Sequence, residues 1–551
     1  MTTIATRIER ATTQSGSITF VGASEAAERV EWARIHDDAR GVAAALQARG
    51  VGPGDHVALL GPTTRPLVTA IEATWLAGAT VVVLPLPMRL GSIEEFVAQT
   101  RARATAADAA LVVLDDDLAP FLEPRPGDPP MALLSELAPG PGRPCARDYE
   151  RPRDDPEALA ILQFTSGSTA EPKGVMLPHD RVLANLDAAR AGVALDPAND
   201  VLLSWLPLYH DMGLIGLLTL PMITGTDLVL AGAQDFMASP ARWMEWMSAF
   251  GGTATAGPNF AYALAARALA RLDGLDLSRW RIGLNGAEPI DPSTVEAFCD
   301  AGARHGLDPR VVFCAFGMAE VTIAGTFPRP GTGMTVDSID RRVLETDRYA
   351  APRGAGEVGT RRLARLGKPV EGLQLRIVEP ETGRAMRERE VGELEIRGTS
   401  VTPGYYRRPT ETARAFRDGW LRTGDLAYLV EGELVVCGRI KDVIIVGGRN
   451  VFPEDVERAV ASVAGVRAGN VIAFGVEGRR GREDVVVVAE TKADEIGPVR
   501  DAVSRSVRQA VGVSLRDLVL VSPGTLPKTS SGKLQRALCR SRYLSEELQP
   551  I

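Results

Sequence analysis

Residues 161 to 180 read ILQFTSGSTAEPKGVMLPHD. An apolar strand runs directly into a loop of Thr165, Ser166, Gly167, Ser168, Thr169, Lys173 and Gly174. Small hydroxyl residues and glycines let backbone N–H and side-chain O–H groups wrap phosphate oxygens, and a lysine adds a point charge. The segment reads as a polyphosphate cradle. Its Lys-Gly order is not the Gly-Lys-Ser/Thr of a Walker loop. A short Ser/Thr/Gly string alone would read as a flexible turn; the whole segment favours the phosphate reading.

Upstream, helix and strand alternate. Ile35, Ala39, Val42 and Leu46 share one helical face, Gly50 ends that helix, and DHVALL follows as a strand. A second helix over 66 to 76 leads into the strand TVVVLPL. This predicts an α/β fold with layered, largely parallel and buried sheets. The Pro-, Gly- and charge-rich stretch from 124 to 156 reads as a surface connection within that domain, because ALAILQF resumes the pattern at once. Near Gly438 the pattern changes to short strands (ELVVCG, DVIIVGG, DVVVVAE, DLVLVS) and helices, one with Val499, Val503, Val507 and Val511 spaced by four. A smaller C-terminal α+β domain is expected.

Bulk properties narrow the function classes. A chain of 551 residues, 45% hydrophobic and 24% charged, has room for more than one core. A net charge of -8 argues against a nucleic-acid partner, which needs clustered surplus cations. Five scattered cysteines without a CxxC pair indicate neither a disulfide framework nor a zinc site, as expected of a cytoplasmic protein. The N-terminus lacks a signal-peptide core, and no integral membrane segment is expected: the apolar runs at 73 to 88 and 212 to 226 are broken by Pro and Gly and read as buried segments.

TSGSTAEPKGV resembles the signature phosphate loop of the adenylate-forming superfamily: acyl-CoA synthetases, peptide-synthetase adenylation domains, luciferases and fatty acyl-AMP ligases. Further matches follow in the family's order: LPLYHDMGL (206 to 214), LNGAEPI (284 to 290), FGMAE (316 to 320), GYYRRPTETARAF (404 to 416), WLRTGDL (420 to 426), GRIKDVIIVGGRNVFPEDVE (438 to 457) and LPKTSSGK (526 to 533). The resemblance implies ATP and Mg²⁺, with the carboxylate of Glu320 on the metal. It places Gly286, Ala287 and Glu288 beside adenine, and Phe316, in the motif with Gly317 and Met318, under the base. It assigns Asp425 to the ribose hydroxyls and Arg439 to ribose and phosphate. Lys533 is the expected catalytic lysine, pairing with the substrate carboxylate and α-phosphate. The resemblance implies that His210 gates or lines the acyl entrance. Implied organisation is an adenylation domain over 1 to 438, a junction at 439 to 441 hinged on Lys441, and a small mobile C-terminal domain over 442 to 551 that carries Lys533 in and out. Taken singly, Glu320, Asp425 and Lys533 would pass for ordinary loop and tail residues, and any of the five histidines for a structural one.

The stretch from 320 to 367 is longer than acyl-CoA synthetases have, and fatty acyl-AMP ligases carry an insertion there; LPLYHDMGLIG, Ala319 and GRNVFPEDVE also resemble that family. In it the insertion restricts domain movement, so that the acyl group passes to the phosphopantetheine of a carrier protein. Gly447 beside Gly448 departs from the ligases and resembles the pantetheine passage of coenzyme A ligases. The acceptor therefore stays open between coenzyme A and a separate phosphopantetheinylated carrier or polyketide synthase, since the chain ends soon after LPKTSSGK. An acyl pocket is expected at Trp205, Leu206, Leu208, Phe236, Met237, Pro258, Asn259, Phe260 and Tyr262, residues that could equally be core. The substrate expected is a fatty acid, or under the acyl-CoA synthetase alternative an aryl or terpenoid one. A non-catalytic nucleotide- or carrier-binding protein is the alternative of another class; the joint presence of Lys173, Glu320, Asp425, Arg439 and Lys533 argues for the enzyme.

Overall fold

The computed structural model describes residues 2–22, 26–87, 92–165, 173–478, 483–529 and 532–551. The α/β layering expected from the sequence is present. Trp32–Gln47 is a helix burying Ile35, Ala39, Val42 and Leu46, and Arg65–Leu76 is a second with Pro66 in its first turn. Both flank a six-stranded sheet in the order Met131–Leu133, Ala109–Leu114, His56–Leu60, Thr80–Val83, Leu159–Thr165, Lys173–Pro178. Its pairs are parallel except the last, where Thr165 lies opposite Lys173 and Leu162 opposite Met176. That antiparallel hairpin brings the two ends of the phosphate-loop segment together.

A seven-stranded sheet positions the rest. Val312–Cys314, Ile282–Asn285, Ala254–Gly257, Val201–Ser204, Asp227–Ala231 and Ser17–Val21 are parallel, and Glu28–Glu31 closes the edge antiparallel. Four of these strands end immediately before the motifs at 316, 286, 258 and 205. Ligands of open α/β sheets gather at the carboxyl ends of strands.

The run from 212 to 226 is buried as a π-helix, Met212–Thr219, followed by the helix Leu220–Thr224. Gly213 is needed there, because a Cβ on it would lie 2.3 Å from the Pro207 carbonyl oxygen. Among the described residues no helix is long and apolar enough to cross a membrane. The 124 to 156 connection, expected at the surface, differs from expectation in two respects: the short helix Leu134–Leu137 buries Leu134 and Leu137 in the main core, and a strand is added to the sheet. Met131–Leu133 adds an edge strand, which Pro129 and Pro130 enter from outside the ladder, where missing N–H donors cost nothing.

Past an antiparallel sheet that contains Trp420–Val430 and Glu433–Arg439, the C-terminal segment builds around Val466–Glu477, Glu483–Thr491 and Leu515–Val521. Alternation serves both faces. Val471, Val485 and Val487 pack with Val456 and Val460 of the helix Pro453–Ala461 and with Val499, Val503 and Val507 of Ile496–Ala510. Ile472, Phe474, Val486 and Val488 pack on the other face with Cys539 of Arg536–Leu544.

The large sheet's core includes an aromatic cluster centred on Trp243, whose ring stands edge-on to Trp205 at 5.6 Å, Phe236 at 6.1 Å and Tyr262 at 5.2 Å. Trp243→Ala should cost about 3–5 kcal/mol, read as a lower urea midpoint; an unchanged midpoint would contradict this packing.

Candidate active site

The loops leaving the parallel strands are tied to one another. Glu288 Oε1 accepts the backbone N–H of Phe260 at 2.6 Å, in the first turn of the helix Asn259–Leu269. Asn259 Oδ1 accepts from Asn285 Nδ2 and from the Asp291 N–H, both at 3.3 Å. Ala287 between them is exposed and sits at φ +68°, a left-handed conformation seldom taken by a residue with a Cβ. Gly286 is buried against the next strand, where a Cβ would lie 3.0 Å from the Ala315 carbonyl oxygen. Phe316–Gly317 pairs with Ala324–Phe327, and a Cβ on Gly317 would sit 1.9 Å from the Ile323 carbonyl oxygen. The ring of Phe316 is half-buried against Gly325, and Met318 is half-buried beside it.

Glu320 faces this rim. Its Oε1 accepts the Tyr405 hydroxyl at 2.9 Å, and Lys173 Nζ lies 5.1 Å from the centre of the Tyr405 ring. Burial raises the pKa of Glu320, the nearby Asp211 carboxylate adds to this, and Arg439 opposes it. Asp211 is itself pushed up by burial and held back by Lys533. Among the described residues no three carboxylate, histidine or cysteine side chains form a metal cage. Glu320 with Asp211 nearby fits Mg²⁺, which binds through one or two carboxylates and takes its other ligands from phosphate and water.

Asp425 stands across the strand pair from Arg439, whose Nε is 3.0 Å from Asp425 Oδ1. Asp425 is only 4% exposed, and burial raises its pKa against the pull of Arg439 and Lys441. Lys441 is exposed, in the single turn Ile440–Asp442, beside an Asp442–Arg536 ion pair of 2.8 Å.

Lys533 arrives from the C-terminal segment. The Thr529 N–H donates to its carbonyl at 2.7 Å and its own N–H donates to Thr529 Oγ1 at 3.1 Å, while Gly532 approaches the Phe260 ring. Burial dominates the pKa shifts of His210, Asp211 and Glu288, and the positive charge of Lys533 contributes to each. His210 keeps a buried Nε2 with no hydrogen-bond partner, and burial, then Lys533, push its pKa down to about 3.

The residues expected to line an acyl pocket separate into groups. Trp205 stacks on Phe236 at 3.6 Å and 14°, and Tyr262 donates its hydroxyl to the Leu284 carbonyl at 3.1 Å. These three, with Leu206 and Leu208, are buried in the core, as is Pro258. Phe260 is half-buried at the rim, whereas Met237 is 57% exposed. Thr165 is half-buried at its strand's end; Ser166, Gly167, Ser168 and Thr169 lie outside the described residues. Sequence reading missed Asp211 and Tyr405. Both stand inside quoted motifs, but only folding shows that Tyr405 reaches a carboxylate 85 residues away.

The AMP-binding enzyme family matches residues 8–406. Rv1013 of Mycobacterium tuberculosis is 38% identical over 520 residues, covering 92% of this chain and 94% of its own. The long-chain-fatty-acid–AMP ligase FadD26 of Mycobacterium marinum is 33% identical, covering 94% and 92%. A solved structure from a study of fatty acyl-adenylate ligases of E. coli and L. pneumophila superposes with a TM-score of 0.92 at 31% identity, covering 99% of this chain and 98% of that one.

Burial also pushes His179 down, to about 4. Both histidines are therefore neutral in the folded chain well below the ordinary 6.5. The unfolded chain takes up these protons first as pH falls, so their contribution to stability is complete above about pH 6.5 and is lost progressively on acidification toward pH 4. In histidine-selective NMR neither ring should titrate between pH 8 and 5; a midpoint near 6.5 for His210 would refute its burial.

Proposed function

The chain belongs to the AMP-binding enzyme family, and from that premise we propose that it activates a fatty acid as its acyl-adenylate and passes the acyl group to the phosphopantetheine thiol of a separate carrier protein. The observation that carries the reading is the seating of the Lys533 loop at the strand ends, where Gly532 approaches Phe260 and the Phe260 N–H is bound by Glu288, together with the Glu320–Tyr405–Lys173 cluster.

In this reading ATP lies with its base between 286–288 and 316–318, its ribose hydroxyls on Asp425 and its phosphates toward Thr165 and Lys173. Arg439 contacts ribose and phosphate. Mg²⁺, held by Glu320 when bound, offsets phosphate charge. A carboxylate oxygen of the acid attacks the α-phosphorus, the bond to the bridging oxygen breaks, and pyrophosphate departs. Lys533 stabilises the charge that develops on the entering carboxylate and the α-phosphate, so the protein's part is positioning and electrostatics. The carrier's thiolate then attacks the acyl carbon of the mixed anhydride and AMP leaves. His210 is neutral and bears on the acyl entrance rather than on proton transfer. Lys441 serves as the hinge between the segments 1 to 438 and 442 to 551.

Carrier over coenzyme A is supported by the segment from 320 to 367. Its hairpin, Val336–Asp340 with Thr360–Ala364, and helix Arg341–Asp347 reach the C-terminal segment through two ion pairs, one buried on both sides and one half-buried. Arg361 Nε lies 2.9 Å from Asp455 Oδ1, with both side chains under 5% exposed, and the guanidinium sits 4.3 Å from the Phe452 ring centre. Arg449 Nε donates to Glu345 Oε2 at 3.0 Å, and Asn450 Nδ2 to the Glu345 carbonyl at 2.9 Å. Separating a buried pair strands desolvated charge, at about 3–5 kcal/mol when one partner is lost, which opposes rotation of the C-terminal segment. Gly447 and Gly448 have a local explanation: they form the two-residue turn between Ile444–Val446 and Arg449–Val451, at φ +59° and +83°. A tight hairpin of the type I′ class requires positive φ at both positions.

The test is mass spectrometry of products formed from Mg·ATP and fatty acids of graded length, alone, with coenzyme A, and with a phosphopantetheinylated carrier. Acyl-AMP should persist with coenzyme A and load the carrier, and Lys533→Ala should lower adenylate formation about 100-fold or more. Rapid acyl-CoA formation by the wild type would overturn the acceptor; no adenylate from any acid would overturn the activity. Combining Glu345→Gln with Asp455→Asn should raise acyl-CoA yield, and no rise would remove the ion pairs from the explanation.

A further inference from the structure

Three residues beyond Lys533, Arg536 begins the helix Arg536–Leu544 and engages every nitrogen of its guanidinium. Nε donates to the Ala473 carbonyl at 2.9 Å, Nη1 to Asp442 Oδ2 at 2.8 Å, and Nη2 to Glu457 Oε1 at 3.0 Å, with Glu454 Oε1 beyond at 3.5 Å. Glu457 in turn accepts the Ala473 N–H at 2.9 Å. One side chain thus joins the strand Val466–Glu477, the helix Pro453–Ala461 and the turn Ile440–Asp442 at the foot of the Lys533 loop. All four charged side chains are no more than 20% exposed, so the pairs are little screened, and the planar fork of the guanidinium makes them specific in direction.

The loop is closed on its own backbone. Lys528 bridges Leu534, the Gln535 N–H donates to the Pro527 carbonyl at 2.9 Å, and Gln535 Nε2 donates to the Lys528 carbonyl at 2.7 Å. Its other end is held by Glu490, which is fully buried and accepts the Gly524 and Leu526 N–H groups at 2.8 and 3.2 Å. A closed loop on two fixed feet moves with the body it stands on, so the reach of Lys533 is decided at those feet. Arg536 is the foot that touches the hinge turn, because Asp442 follows Lys441 directly.

We propose that Arg536 is a positioning residue for Lys533: it locks the lysine loop to Asp442, so that rotation at Lys441 brings the ammonium group to the strand ends with a fixed reach. A misplacement of about 1 Å at a reacting centre can cost about 100-fold in rate, which is what a loose foot would allow. The task given to Lys533 rests on the adenylate-forming function proposed above; the anchoring of its loop does not.

Arg536→Gln should lower kcat for adenylate formation about tenfold or more while the KM values for ATP and acid stay within about twofold, because Arg536 contacts only the C-terminal segment. Asp442→Asn should show the same split at smaller size; it removes one charge from a group of three carboxylates and so spares the fold should Arg536→Gln not. The double variant decides between positioning and general support. In the Lys533→Ala background Arg536→Gln should change the residual rate by less than about twofold, since its effect passes through the lysine, whereas a further loss of about tenfold would overturn the proposal. Hydrogen exchange of the full-length protein reads the anchor without activity. The amides of Thr529, Lys533 and Gln535 should exchange about tenfold faster in Arg536→Gln, with those of Val486 and Val488 inside the sheet unchanged. Unchanged protection of the loop would overturn the anchor. Faster loop exchange in a protein whose wild type adenylates no acid would leave the anchor standing and overturn the function.

Discussion

Buried negative charge is the constraint around which this molecule is built. Glu320, Asp211, Asp425 and Glu288 lie close to the carboxyl ends of the large sheet or across from them, and desolvation raises the pKa of each. Such a cluster holds together only where cations and donors answer it. Arg439 answers Asp425 and Glu320; Lys533 answers Asp211 and Glu288. Both cations come from the last quarter of the chain. Of the two, only Lys533 comes from the C-terminal segment; Arg439 ends the strand Glu433–Arg439 that precedes it.

The C-terminal segment can act as a body because its three-stranded sheet is covered on both faces by its own helices. Its attachments elsewhere are both polar and apolar: Arg449 and Asn450 to Glu345, Asp455 to Arg361, the Lys533 loop on Phe260, and Phe452 buried among Leu344, Leu363, Leu426 and Tyr428. Polar attachments are specific in geometry, because a buried ion pair tolerates little displacement before its charges lose their partners. Around Phe452 the ion pair of Arg361 with Asp455 and the apolar cluster share the same seam, so both fix its register.

Aromatic packing sets a second limit. Trp205, Phe236, Trp243 and Tyr262 fill the space beneath the strand ends as ring against ring, and a Cβ on Gly257 would come within 3.0 Å of Trp243. Apolar residues beside a binding motif are as useful for holding the sheet as for touching a substrate, and sequence gives no means of dividing them. Trp205 alone keeps a mark of something further, an indole N–H that is buried without a partner.

The sequence by itself determined the local elements and the order of the motifs. Periodicity marked the helix whose face carries Ile35, Ala39, Val42 and Leu46 and the valine-lined C-terminal helix, because each records one repeating burial pattern along a continuous segment; the structure set the first at Trp32–Gln47, short of the Gly50 stop. The motifs named Glu320, Asp425, Arg439 and Lys533, since side-chain chemistry is written in the residue. Tertiary structure alone decided which groups meet. Tyr405 on Glu320, Lys173 over Tyr405, Arg361 on Asp455 and Arg536 on Asp442 join residues far apart in the chain. It also decided that Gly447 and Gly448 serve a turn and that Met237 faces solvent. Desolvation and pairing depend on distance in space, and a linear sequence carries distance only along the chain.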